Sequence, residues 1–119
     1  KKAKLYNTIA KDFKDKGSYA KAREYFGKAL KINPSDNKPY EYIARMYASS
    51  ANSCGDSNFN KRAVFWLAAA EAKKAGNTSL VENYMAKAPS KSEIFSEGNA
   101  GESISIGCWI GRSVTVPNL

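Results

Sequence analysis

The sequence predicts a mainly α-helical chain of antiparallel helix pairs, about five helices in all, closed by a C-terminal β-hairpin. Three observations predict it. Tyr6, Ile9, Ala10 and Phe13 are followed 34 residues later by Tyr40, Ile43, Ala44 and Tyr47, so one helix is written twice. Around these, apolar residues recur at three- and four-residue spacing, which marks helices with one buried face. From Ser103 onward the period falls to two, the side-chain alternation of a strand. The 119 residues, 43% of them apolar, are enough for one domain with a modest core.

The first helix is expected from about Lys4 to Lys16, with Leu5, Ile9, Ala10 and Phe13 as its apolar stripe. Gly17 suits the left-handed residue that ends a helix. Ser18 is placed to cap a second helix, about Tyr19 to Lys31, whose stripe is Ala22, Tyr25, Phe26, Ala29 and Leu30. Ala10 and Ala22 stand where the two helices approach, since a larger side chain there would push them apart. Asn33-Pro34 stops the second helix, because Pro disfavours a helical residue before it.

The next pair opens with Asn37 as cap and Pro39 in the first turn, where a missing amide matters little. Its second helix is expected from Phe59 to Lys74, with Ala63, Leu67 and Ala70 aligned to Ala22, Phe26 and Ala29. Between the members of this pair lies an insertion within Ser49–Asn58, small and polar, which reads as a loop. Such a loop is either a binding feature or a tolerated insertion. Ala75-Gly76-Asn77 is another stop. A short fifth helix with Leu80, Val81 and Tyr84 follows, Ser79 and Glu82 forming its capping box, and Pro89 ends it.

Residues 1–88 therefore read as the helical array and 89–119 as an extension. Ser90 and Glu93 start a short turn with Ile94 and Phe95, stopped at Gly98. A hairpin is expected from about Ser103 to Val116, with Gly111-Arg112 as a two-residue turn. A lone hairpin is barely stable in water, so it should lie on the helices with Trp109 as anchor.

Net charge is +8, and residues 1–33 hold a balance of +7 of it. This is either a site for an acidic partner or a solvated helix surface. The aromatics of this segment sit at core positions, which leaves few stacking platforms for nucleic acid. The chain has no His, hence lacks the commonest general base and any His-containing zinc site. Its two cysteines cannot make a four-thiolate zinc site. No glycine-rich phosphate loop is present, and no carboxylates pair on an apolar face. These features speak against an enzyme and imply no cofactor. No apolar run reaches a membrane span.

Tyr6-x2-Ile9-Ala10-x2-Phe13…Ala22-x3-Phe26-x2-Ala29…Pro34 resembles the tetratricopeptide repeat (TPR) pattern, whose period is 34 residues. The resemblance covers residues 3–88. It implies a TPR-type α-solenoid, with the first helix of each repeat lining a concave groove. Carried over, the groove positions are Lys4, Asn7, Thr8, Lys11 and Lys14, then Lys38, Glu41, Tyr42 and Arg45. They imply a protein or peptide partner with an acidic extended segment. The carboxylate-clamp arrangement of the chaperone-binding branch is missing: its Lys and Asn positions are Asn7 and Lys11 here, and its second Asn is Tyr42. The alternative is a structural cap of a longer array, with further repeats upstream and no ligand of its own. The tail, with Ala88-Pro89-Ser90-Lys91, Ile94-Phe95 and Gly107-Cys108-Trp109-Ile110-Gly111, is similar to the ends of uncharacterised TPR proteins of Bacteroides-like bacteria. That similarity implies a protein of the bacterial periplasm or cell envelope. Cys54 and Cys108 are then either a disulfide tying the tail to the second repeat or two free thiols; export favours the disulfide.

Overall fold

Local signals set most of the boundaries. The structure is a computed structural model that describes all 119 residues. It contains α1 (Lys2–Asp15), α2 (Tyr19–Ile32), α3 (Lys38–Ser49), α4 (Ala51–Cys54), α5 (Asn58–Lys74), α6 (Thr78–Lys87), α7 (Lys91–Glu97), β1 (Ser103–Ile106) and β2 (Arg112–Thr115). Seven helices hold 66% of the residues, and the strands form one two-stranded antiparallel sheet. The molecule measures 50 × 25 × 19 Å. No helix is long and apolar enough to cross a membrane.

Two turns are built alike. Gly17 at φ 80 ends α1 and Gly76 at φ 70 ends α5. In the first, Gly17 N–H donates to Lys14 O (3.0 Å) and Ser18 N–H to Phe13 O (2.9 Å). In the second, Gly76 N–H donates to Lys73 O (3.0 Å) and Asn77 N–H to Ala72 O (3.1 Å). These bonds satisfy the last carbonyls of each helix and reverse the chain at once. Short connections of this kind make α1 with α2, and α5 with α6, packed neighbours. α3 packs along α5, and α2 bridges to α3. Ala10, Ala22, Ala44 and Ala63 are all fully buried, as expected of small residues at helix approaches.

Several expected details are corrected. Ser18 and Asn37 precede their helices, but neither side chain caps. Asp36 does so for α3, accepting from Lys38 N–H at 3.1 Å. Asn77 caps α6 through Leu80 N–H (3.1 Å), so the Ser79–Glu82 box is not formed. The Ser49–Asn58 segment is not wholly a loop. It holds α4, whose Ala51 and Cys54 are buried. Polar composition hid this turn because its burial depends on what the distant tail brings to it. Beyond it Gly55 runs so close to Lys61 that an added Cβ would lie 2.4 Å from the Lys61 backbone nitrogen.

α5 departs most from a one-sided helix. Ala70 is exposed and Leu67 only half-buried, against their alignment with Ala29 and Phe26. Phe59, Ala63, Val64, Trp66, Ala68, Ala69 and Ala72 are buried instead. The reason is that α5 is covered by α3, α4, α6 and the hairpin, on several sides at once. Its small residues let these neighbours approach.

In α7, Ser90 and Glu93 form the full capping box, and Gly98 ends the helix at φ 67. Ile94 is buried while Phe95 is 76% exposed. Arg62 of α5 fastens this end, donating to Lys87 O (3.1 Å) and Ala88 O (3.2 Å) and pairing with Glu93. The Ser90 N–H bond is the leading cause that holds the Glu93 carboxyl below its ordinary value of 4.5. A carboxylate with a lowered folded value adds stability above its unfolded value and loses it as pH falls through the folded one. Stability of the native chain should thus fall more steeply than that of Glu93→Gln between roughly pH 5 and 3. Parallel curves in acid urea titrations would contradict this.

The hairpin pairs Ser103 with Thr115 through to Ile106 with Arg112. Its connection is therefore the five residues 107–111, not the two-residue Gly111-Arg112 turn. Ile106, Ile110 and Val116 face inward and are buried. They join two apolar clusters, one centred on α1 to α6, the other on Phe59, Trp66, Ala88, Ile94 and Val116.

Candidate functional site

The hairpin tip is seated rather than merely laid on the helices. Trp109 stacks on Tyr47 with ring centroids 5.3 Å apart and meets the edge of Tyr19 at 5.5 Å. Its indole N–H donates to Ser50 Oγ at 2.9 Å, and Ser50 Oγ donates onward to Met46 O at 2.9 Å. An indole N–H turned inward, as in this half-buried ring, needs such a partner. Arg23 of α2 completes the seat. One Nη donates to Ile110 O (2.9 Å) and Tyr47 Oη (3.0 Å), the other to Trp109 O (3.1 Å). Its guanidinium carbon lies 5.1 Å from the Trp109 ring centroid. Cys54 and Cys108 stand at disulfide distance, with Cα atoms 5.3 Å apart. Cys108 takes φ 44, a left-handed conformation uncommon outside glycine. Reaching Cys54 and presenting two carbonyls to Arg23 is what bends residues 107–111 away from strand pairing.

Sequence reasoning found Trp109 and both cysteines but missed Arg23. One signal was present. Arg23 is the lone Arg among ten basic residues of segment 1–33. A planar fork of donors serves where two carbonyls must be bound together, a task a Lys does not match.

On another face, α1, α3 and α6 stand side by side with α5 beneath. Two depressions meet there at Arg45 and Ser49. One, of about 270 Å³, is lined by Lys14, Tyr19, Tyr42, Arg45, Met46 and Ser49. The other, of about 470 Å³, has Phe65, Leu80 and Tyr84 in its lining, with Asn83, Arg45 and Lys87. Lys11 Nζ and Lys14 Nζ lie 5.4 and 5.5 Å from the Tyr42 ring centroid, and Tyr42 stacks on Phe26 at 5.2 Å. The ring is thus a fixed platform flanked by two ammonium groups. Lys14 also pairs with Asp15 at 2.9 Å. Arg45 pairs with Glu41 (3.3 Å), whose other oxygen accepts from Asn77 (3.3 Å). Burial raises the Tyr84 hydroxyl above its ordinary value, Arg45 opposes this, and Glu41 adds to it.

Of the nine groove positions expected, Lys11, Lys14, Tyr42 and Arg45 come together here, with Glu41 paired to Arg45, while the Thr8 hydroxyl donates to Lys4 O at 3.0 Å within its own helix. Asn7 is turned instead to Asp36, donating to its Oδ2 at 3.3 Å. Lys4 and Lys38 are exposed and line neither depression. Lys87, Phe65 and Leu80 belong to the face and were missed, because they come from the fourth and fifth of the expected helices, which only packing sets beside the third.

No family model matches the chain, and no match to it was found among curated proteins or solved structures.

Proposed function

We propose that the chain is a non-catalytic interaction scaffold of TPR type that binds an acidic, extended protein segment along the α1–α3–α6 face. One observation carries this reading. Lys11, Lys14, Arg45 and Lys87 gather around the Tyr42 platform and the apolar floor, and no carboxylate lines either depression, Glu41 standing beside them as the partner of Arg45. Carboxylates of a bound segment would take charge-assisted hydrogen bonds from these groups. An apolar side chain between them would enter the floor of Phe65, Leu80 and Tyr84. The four buried alanines at the helix approaches support a repeated helix-pair stack. The absence of His from the sequence supports a role without acid–base chemistry. The cysteine pair fits an oxidising compartment, and the bacterial cell envelope is the one proposed.

The test uses a fluorescein-labelled peptide alternating Glu and Leu, followed by anisotropy. The native chain should bind it, and Lys14→Glu with Arg45→Glu should weaken binding by at least about tenfold, the effect of losing one charge-assisted contact. Lys21→Gln, an exposed α2 residue lining neither depression, should change nothing. No binding by the native chain, or equal binding by the double variant, would leave the structural alternative. In that reading the chain acts as a structural cap of a helical array, and the depth to which the hairpin is fastened by Arg23, Trp109 and Cys108 favours it.

A further inference from the structure

A second basic depression lies away from this face and shares no residue with it. It measures about 500 Å³ and is formed by α2 and the hairpin, with Ala20, Arg23, Glu24, Gly27, Lys28, Lys31 and Arg112 around it. Four cations meet one carboxylate there. Glu24 is partly neutralised by Lys28 at 3.7 Å, and Lys28 also lies over the Tyr25 ring at 4.6 Å. Arg23 is committed to the hairpin carbonyls. Lys31 and Arg112 are exposed and take part in no ion pair.

The floor is the second observation. Gly27 sits in the interior of α2, where glycine weakens a helix relative to alanine. No packing reason requires it. Its φ is not left-handed, and a Cβ built there meets nothing within 4 Å. A bare stretch of helix backbone, open to solvent and ringed by cations, is what close approach of a ligand calls for. The excess of positive charge exceeds what one carboxylate would use.

We infer that α2 and β2 together form a binding site for a small molecule carrying two linked phosphate groups, seated over Gly27 between Lys31 and Arg112. Arg112 reaches this site only because the tip of the hairpin is fastened to α2 and α4. The tail is therefore part of a binding site as well as a cover. The site is independent of the peptide groove.

Calorimetric titration of the full chain with inorganic pyrophosphate, at about 150 mM salt to screen diffuse attraction, tests it. Saturable one-to-one binding is expected. Lys31→Gln and Arg112→Gln should each weaken it by about tenfold. Gly27→Leu should abolish it while leaving the thermal midpoint equal or higher, since the new side chain enters open space and favours helix. Lys21→Gln should bind as the native chain does. The inference is overturned by an absence of saturable binding, by a loss in Lys21→Gln equal to that in Arg112→Gln, or by native affinity in Gly27→Leu.

Discussion

Replacing both Cys54 and Cys108 by Ser is expected to lower stability by about 4 kcal/mol and the thermal midpoint by about 15 °C. The two residues are 54 apart in sequence, so a bridge between them removes a large loop-closure entropy from the unfolded chain. The effect is large against the 5–15 kcal/mol by which domains of this size are usually stable. It should also fall unevenly. The hairpin tip, residues 107–111, should gain amide exchange first, because its remaining fastenings are Arg23 and the Trp109 seat. Thermal melts of oxidised and reduced protein check the magnitude. Alkylation of both thiols in unreduced material, seen by mass spectrometry, would show that the bridge does not form. An unchanged midpoint on reduction would show that it does not matter.

Trp109→Ala is expected to lower stability by about 3 kcal/mol. The indole is only partly buried, which places it at the low end for loss of a large aromatic. Its removal takes away stacking on Tyr47, the edge contact with Tyr19 and the cation held over its face by Arg23. It also leaves Ser50 Oγ without its indole donor in a buried setting. Urea unfolding measures the loss. Because seat and bridge hold the same tip, the two effects should not add: in the Cys54→Ser, Cys108→Ser background the same Trp109 change should cost visibly less. Full additivity would mean that the tip is not docked as one unit.

The tip joins both candidate sites to one structural fact. Tyr19, against which Trp109 packs, lines the first depression of the α1–α3–α6 face, and Ser49 beside Ser50 lines it too. Arg112, at the foot of β2, rims the other depression. The tail therefore touches each site at its edge while contributing to the core through Ile106, Ile110 and Val116.

The sequence alone determined the parts whose causes lie within a few residues. The Gly17 and Gly76 reversals, the helix start at Ser90 and Glu93, the stripes of α2 and α3 and the strand alternation were legible there, because the hydrogen bonds and burial that create them span a turn or a pleat; Leu5, expected in the stripe of α1, is instead 58% exposed. The 34-residue echo of Tyr6–Phe13 in Tyr40–Tyr47 was legible for the same reason. Of the α1–α3–α6 face, Lys11, Lys14, Tyr42 and Arg45 could be named through the resemblance to the TPR pattern, which named Lys4, Asn7 and Lys38 as well although they line neither depression. Tertiary structure alone decided the remainder. α4 forms inside a polar insertion because Cys108 and Trp109 arrive from more than 50 residues away to cover it. The many-sided burial of α5 erases the stripe that would have placed Ala70 inward. Arg23 becomes a clamp, and residues 107–111 a loop instead of paired strand, through bonds between groups over 80 residues apart. Such contacts leave no local period to read: their energy depends on which surfaces meet, and that is settled only when the whole chain packs.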